Sequence, residues 1–456
     1  MTGRLPALLL LAAAVCAAPA AAPPATALAD DKPKADGKIA NDPNAPLPIR
    51  VNQAIDSGVA WLKTKQFSNL GNWDPEITGN SKYDPTSNAP PFIHPTGCTS
   101  LALYTLLKCG VPPDDPAIKK GFDWLAKRSG AIAKGGKSVA FRVPNGTYEL
   151  AVLALAIEAK GNPHKREKER EQDAKFRAKK GEKLKTAVKL EPADEAWLKE
   201  VLGALTKRRV GDRGWRYGID VGQGKFHNGV RGDSDLSASN LAMLAILAGE
   251  RCGIKQPDEF YAGVLRWTMG LQEPDGKDIP TQKRWEPSTN KEDEKYAATM
   301  DKVRGFGYLG TSGVDKENVA SASMTACGLA NLLICTTILE LRESKNFDAS
   351  LQARAEKSWW DGVAWLDYWW TMDRNTNGAQ GYHYYYMYCL ERACDLKRIN
   401  LLAGHPWYNE GAQVLVDQQS QNGAWEKNDT HEPHDVLNTC FALLFLNRST
   451  PAITGD

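Results

Sequence analysis

Two aspartates stand one residue apart in the run Asp233-Ser234-Asp235. Paired carboxylates raise one another's pKa, which can keep one of them protonated as an acid. His383 stands among Tyr382, Tyr384, Tyr385, Tyr386 and Tyr388, and an imidazole can move a proton near neutral pH. Asp235, Asp233 and His383 are therefore the candidate catalytic residues. Glu149, Tyr382, Tyr386, His434 and Asp435 are the candidates to line a ligand-binding rim. Acids set across from aromatic platforms would suit a polysaccharide. Each position also has a structural reading. Asp235 falls four residues before Ser239, at or beyond the start of a helix, where an aspartate serves as an N-cap. Glu149 and Asp435 fall in first turns, where acids favour the helix dipole. His434, in THEPHD, reads as part of a surface loop, and His383 reads as a core or rim histidine. The sequence has no glycine-rich phosphate loop, HExxH motif or G-x-S-x-G elbow, and it calls for no metal or cofactor.

The elements that must carry these residues repeat. AIDSGVAWLKTKQFSNLGNW is an amphipathic run that leads to Gln66 and then Trp73. Similar runs lead to Trp215, to Gln272 and, at the end of the chain, to Gln419-x-x-x-Gly423-x-Trp425. Degenerate copies start near residues 117 and 359, which makes about six. After each comes a more apolar run: TSLALYTLLKCG, TYELAVLALAIEAKG, SASNLAMLAILAGERCG, SMTACGLANLLICTTIL, YYYMYCLERACDL and NTCFALLFLNR. Most of these have a hydroxyl residue followed three places on by a small one: Thr99/Ala102, Ser239/Ala242, Thr325/Gly328 and Thr439/Ala442. Amphipathic helices keep one face wet, whereas helices apolar all round must be buried on several sides. Six such pairs predict an all-α fold, an (α/α)6 double ring with the apolar helices inside and their N-termini gathered at one end. Glutamine would satisfy backbone groups at the end of an outer helix, glycine would allow the inward turn, and tryptophan would cover the seam. Small residues would let neighbouring inner helices approach.

On these residues the chain resembles the terpenoid cyclase and protein prenyltransferase superfamily. Gln419-x-x-x-Gly423-x-Trp425 is similar to the glutamine–tryptophan motif of its squalene-oxidase-type repeat, and the likeness covers most of residues 51–448. GAWEKND, HDVLNTCFALLFLNR and YMYCLERA are similar to exported bacterial repeat proteins. The resemblance implies an α/α toroid with a central cavity. It also implies, for Asp235, the place of the proton donor of class II cyclases. Their Asp-x-Asp-Asp motif is incomplete here, because Leu236 follows Asp235. The zinc-binding Asp-x-Cys of prenyltransferases is missing, and Asn438 stands where their helix carries histidine. Two functions remain: a toroid that binds an apolar ligand or a protein without catalysis, and an enzyme that is either cyclase-like or active on polysaccharide.

With a net charge of +2, nothing in the composition suggests a polyanion-binding surface, and no nucleic-acid partner is expected. Arg4, LPALLLLAAAV and Ala27-Leu28-Ala29 form a secretory signal peptide, cleaved near Ala29 into a periplasmic or extracellular space. Residues 30–48 read as a flexible proline-rich leader and 49–450 as one toroid domain, with charged or polar insertions at 162–195 and 277–304. No later stretch reads as a membrane span. Eight cysteines remain after cleavage. Export permits disulfides, but most of the eight sit within apolar helical runs, where a free thiol acts as a small hydrophobe.

Overall fold

Prolines and caps set where the helices begin. Pro48 stands in the first turn of α1 (Leu47–Thr64) and Pro192 opens α5 (Pro192–Lys207), positions where a missing N–H costs nothing. Asp235, Ser321 and Asp348 cap α6 (Leu236–Arg251), α8 (Ala322–Leu341) and α9 (Ala349–Tyr368) by accepting the backbone N–H three residues on. The other helices are α2 (Pro95–Lys108), α3 (Pro116–Ser129), α4 (Gly146–Gly161), α7 (Asp258–Met269), α10 (His383–Lys397), α11 (Trp407–Gln418) and α12 (Asp435–Leu446). The computed structural model describes residues 44–73, 95–129, 146–162, 188–216, 219–220, 226–227, 234–280, 285–286, 291–292, 300–309, 319–377, 382–426 and 435–448. All of these belong to one compact unit, Asn41–Asp456. The N-terminal segment read as a signal peptide, Asp233, His434 and most of the charged stretch 162–195 lie outside the described residues. The last residues of that stretch open α5 at Pro192.

The chain is mostly helical, and odd and even helices differ in kind. In α1 the buried residues Val51, Ala54, Ile55, Gly58, Trp61 and Leu62 fall at i, i+3/4 and i+7, which is one face. In α6 all sixteen residues are buried. Each even helix packs on the next, from α2 to α4, α6, α8, α10 and α12, and α12 packs back on α2. The odd helices lie against even ones: α3 on α2, α5 on α4 and α6, α7 and α9 on α8, and α1 and α11 on α12. By length and composition α8 could cross a membrane, contrary to the sequence expectation. Its apolarity has another cause: most of it is buried in the protein interior. Short antiparallel strand pairs decorate the connections: β1 (Ile219–Asp220) with β2 (Phe226–His227), β3 (Asp278–Pro280) with β6 (Met300–Lys302), and β4 (Trp285–Glu286) with β5 (Lys291–Glu292).

Three seams between successive odd helices repeat the same pair of glutamine hydrogen bonds. Gln66 Nε2 donates to Gly71 O (2.7 Å) and to Ala117 O of α3 (2.8 Å). Gln272 Nε2 donates to Arg304 O (3.0 Å) and to Ser358 O of α9 (2.9 Å). Gln419 Nε2 donates to Gly423 O (2.9 Å) and to Ala54 O of α1 (2.8 Å). The last of these joins the end of the chain to its first helix. Four residues beyond each accepting carbonyl stands a glycine, Gly121, Gly362 or Gly58. An added Cβ there would meet Trp73, Phe306 or Trp425 within 3.0–3.3 Å. The indole N–H of Trp73 donates to Leu62 O (2.7 Å), that of Trp215 to Leu205 O (2.8 Å) and that of Trp425 to Leu415 O (2.8 Å). In the seam at Trp215, Arg209 replaces glutamine and its Nε donates to Arg213 O (2.8 Å). The positive φ of Gly71 (90°) and Gly423 (94°) is the left-handed turn that only glycine adopts freely.

The hydroxyl column has a specific task. Thr99, Ser239, Thr325 and Thr439 accept the backbone N–H of Trp73 (3.0 Å), Trp215 (2.7 Å), Phe306 (3.1 Å) and Trp425 (3.1 Å). One small residue of that pattern also serves differently from expectation. A Cβ on Gly328 would stand 2.5 Å from the ring of Phe306, so this glycine makes room for the seam aromatic rather than for a neighbouring helix.

Ion pairs gather where the even helices end. Arg251 Nε lies 3.2 Å and Lys108 Nζ 3.9 Å from the two oxygens of Glu158, all three buried. Arg342 pairs with Glu250 (2.7 Å) and Asp258 (3.0 Å), and Arg448 pairs with Asp395. Cations beside helix C-termini also answer the dipole.

Candidate functional site

Asp235 is positioned by the bend from Trp215 into α6. Its N–H donates to Trp215 O (2.8 Å), and its Oδ1 accepts from Ala238 N (2.7 Å). It is thus an N-cap, as one reading of the sequence held. Most caps face water, but Asp235 is fully buried. Burial pushes its carboxyl up to about 7, against the opposing pull of the Ala238 N–H, the Arg216 charge, Tyr308 and the Ser237 N–H.

The other expected positions scatter around it. His383 opens α10, and its Nε2 meets Met372 O at 2.7 Å. Burial pushes the imidazole down, so at neutral pH it is an uncharged partner of that carbonyl. Tyr386 is buried, with its hydroxyl donating to Thr371 O (3.2 Å). Tyr382 is the left-handed residue before α10 (φ 60°) and is 43% exposed. Glu149 is buried in the first turn of α4, and Asp435 is half-buried at the first position of α12. Asp235 and His383 thus each engage other partners.

The residues two places beyond that pair do meet. Ser237 Oγ, on α6, lies 2.8 Å from the hydroxyl of Tyr385 on α10, and it accepts from the hydroxyl of Tyr148 on α4 (2.9 Å). Tyr385 also lies 3.6 Å from Cys327 Sγ on α8. The Cys327 thiol donates to Cys389 Sγ on α10 (3.4 Å), and the fully buried Arg392 donates to the same sulfur (3.0 Å). The Arg392 guanidinium also stacks over the ring of Tyr388 at 3.8 Å, a favourable seat for a buried cation. Phe441 of α12 closes the group, with its ring 5.5 Å from Tyr385 and 5.3 Å from Tyr388. Four even helices therefore contribute to one chain of hydroxyls and thiols, and a fifth covers it.

Electrostatics divides the two sulfurs. Burial alone would push the Cys389 thiol up. The hydrogen bond from Cys327, the charge of Arg392 and hydrogen bonds from Tyr385 and Arg392 outweigh it and hold the thiol down at about 7. Burial, then the bond to and charge of Cys389, push Cys327 well above the ordinary thiol range. Cys389 is thus the acceptor and Cys327 the donor of the pair, and the Arg392 guanidinium favours negative charge on Cys389. All eight described cysteines are free thiols, and among the described residues no group of three or more His, Cys, Asp or Glu could hold a metal ion.

Sequence reasoning missed this cluster. A signal for it existed: Tyr385, Cys389 and Arg392 are spaced i, i+4 and i+7, which is one stripe of a helix. Compared with family models and with curated proteins, the chain matches none.

Proposed function

We propose that this chain is an exported α/α toroid of the terpenoid cyclase and prenyltransferase repeat type. In this reading it binds an apolar ligand or a protein, without catalysis, at the rim where the even helices begin. The circuit of even helices, returning from α12 to α2, supports the ring. One observation carries the binding role: exposed apolar side chains collect beside the loop that links α9 to α10. Tyr368 (47% exposed), Trp369 (42%) and Tyr382 (43%) flank that loop, with Val319 (52%) just before α8. The loop is tied to the start of α8 by Ala322 N donating to Thr376 O (3.0 Å). Exposed aromatic groups of this kind mark interaction sites.

A second reading, cyclase-like acid catalysis by Asp235, draws on that residue's burial. Burial also keeps the proton on the carboxyl up to about pH 7, as an acid needs. One fact weighs against the reading: one carboxylate oxygen is committed to the cap.

An anilinonaphthalene sulfonate probe tests the binding site on the native protein. The double variant Trp369→Ala/Tyr382→Ala should weaken probe binding about tenfold with helix content unchanged. Unaltered binding would remove the rim from the account. Turnover of squalene by the wild type, abolished in Asp235→Asn, would instead establish the enzyme reading.

A further inference from the structure

Outside the rim, the interior holds a nucleophile that no binding role uses. We propose that Cys389 and Cys327 are a peroxide-reactive dithiol, with Cys389 the attacking sulfur, Cys327 the resolving one, and a small hydroperoxide the substrate.

The geometry divides the labour. Cys389 Sγ accepts from Arg392 at 3.0 Å and from the Cys327 thiol at 3.4 Å. A sulfur surrounded by donors is held as thiolate, and the thiolate is the reactive form. Arg392 remains charged beside it and can stabilise the negative charge passing to the peroxide oxygen. The second thiol is already in van der Waals contact, so closing the bond needs only a shift of about 1.4 Å between the two sulfurs. Both sulfurs are fully buried, and Tyr385 and Tyr148, whose hydroxyls join the cluster, are half-buried. Such burial restricts the substrate to a small hydroperoxide.

The step balances. The Cys389 thiolate attacks the terminal peroxide oxygen and the O–O bond breaks. The departing alkoxide, or hydroxide, takes up the proton that Cys389 gave up on ionising, returned through the Tyr148–Ser237–Tyr385 hydroxyls. The Cys327 sulfur then displaces hydroxide from the sulfenic acid, and its own proton completes a water molecule. In total, two thiols and one hydroperoxide give one disulfide, one alcohol and one water. For hydrogen peroxide the alcohol is a second water. Sulfur gives up the two electrons that the O–O bond accepts.

The full-length reduced protein is exposed briefly to hydrogen peroxide, quenched with an alkylating reagent and digested. A peptide linking Cys327 to Cys389 should form about tenfold faster than any other described cysteine is oxidised. In Cys327→Ser, which removes the resolving thiol, Cys389 should instead be trapped as its sulfenic acid by a 1,3-dione present while the peroxide-treated protein is unfolded. Recovery of both cysteines as alkylated thiols from the wild type, after peroxide has oxidised other cysteines, overturns the proposal. So does a folded Cys327→Ser protein whose Cys389 gives no adduct.

Discussion

The two ends of the even helices solve the same problem, buried polarity, in opposite ways. Where the helices finish, every charge described above has a counter-charge: Glu158 between Lys108 and Arg251, Glu250 and Asp258 on Arg342, Asp395 on Arg448. Toward the ends where they start, an acid, two thiols and a row of hydroxyls are held by hydrogen bonds, with Arg392 the cation of the thiol cluster. Paired charge is inert, and it is costly to break. Hydrogen-bonded acids and thiols keep protons that can still move. The difference separates a stabilising end from a reactive one inside one shared core.

The largest effect that would test this contrast lies at the finishing end. Glu158→Gln leaves Lys108 and Arg251 buried without their counter-charge. It should cost about 3–5 kcal/mol in chemical denaturation. A loss within experimental error would mean that these pairs do not hold the helices together.

The starting end should respond to pH with the opposite sign. Folded Asp235 binds its proton more tightly than the unfolded chain does. Between the ordinary carboxylate range and about pH 7 the folded state therefore holds more protons, and stability falls as pH rises. Asp235→Asn keeps an acceptor for the cap. It should remove this slope and make the variant more stable than wild type at pH 8, by up to about 4 kcal/mol. At the finishing end, a hydrogen bond from Ser344, opposed by burial and reinforced by Arg342, holds the Asp258 carboxyl below its usual range. That contribution is complete above the ordinary carboxylate range and is lost on acidification. Asp258→Asn should therefore flatten the acid side of the same profile, by about 1 kcal/mol or less because the pair is partly exposed. Equal slopes in both variants would erase the distinction between the ends.

Much of this architecture was legible in the sequence, because period and burial are local. An amphipathic run and a run apolar all round differ on sight, and so the twelve helices could be paired before any coordinates. The Gln66 and Gln419 seams were legible for the same reason, since residue type, turn glycine and aromatic follow one another within a few positions. Phe306 was harder. It stands in for tryptophan, and it comes 34 residues after Gln272, beyond β3 and β6. Arg209 in the glutamine's place was invisible as a seam residue, because its role lies in where its Nε points.

The thiol cluster was missed for a different physical reason. Cys327 and Cys389 are 62 residues apart, and only the packing of α8 on α10 brings them together. The tyrosine run told that some rings must face inward but not which. The answer depends on the phase of α10, set by a left-handed Tyr382 with no side-chain cap. The cap at Asp235 was readable from spacing. Its burial was not, since that comes from Trp215 and the bridge beside it.

Closure of the helical circuit is tested most directly by zero-length cross-linking across its ends. Arg50 of α1 forms an ion pair with Asp417 of α11, and Lys63 forms one with Asp115 (2.6 Å) within the first part of the chain. Treated with a carbodiimide, monomeric Arg50→Lys protein should yield an amide bond between residues 50 and 417 alongside the Lys63–Asp115 link. Recovery of the Lys63–Asp115 link alone would contradict a closed circuit and leave the helices as an open array.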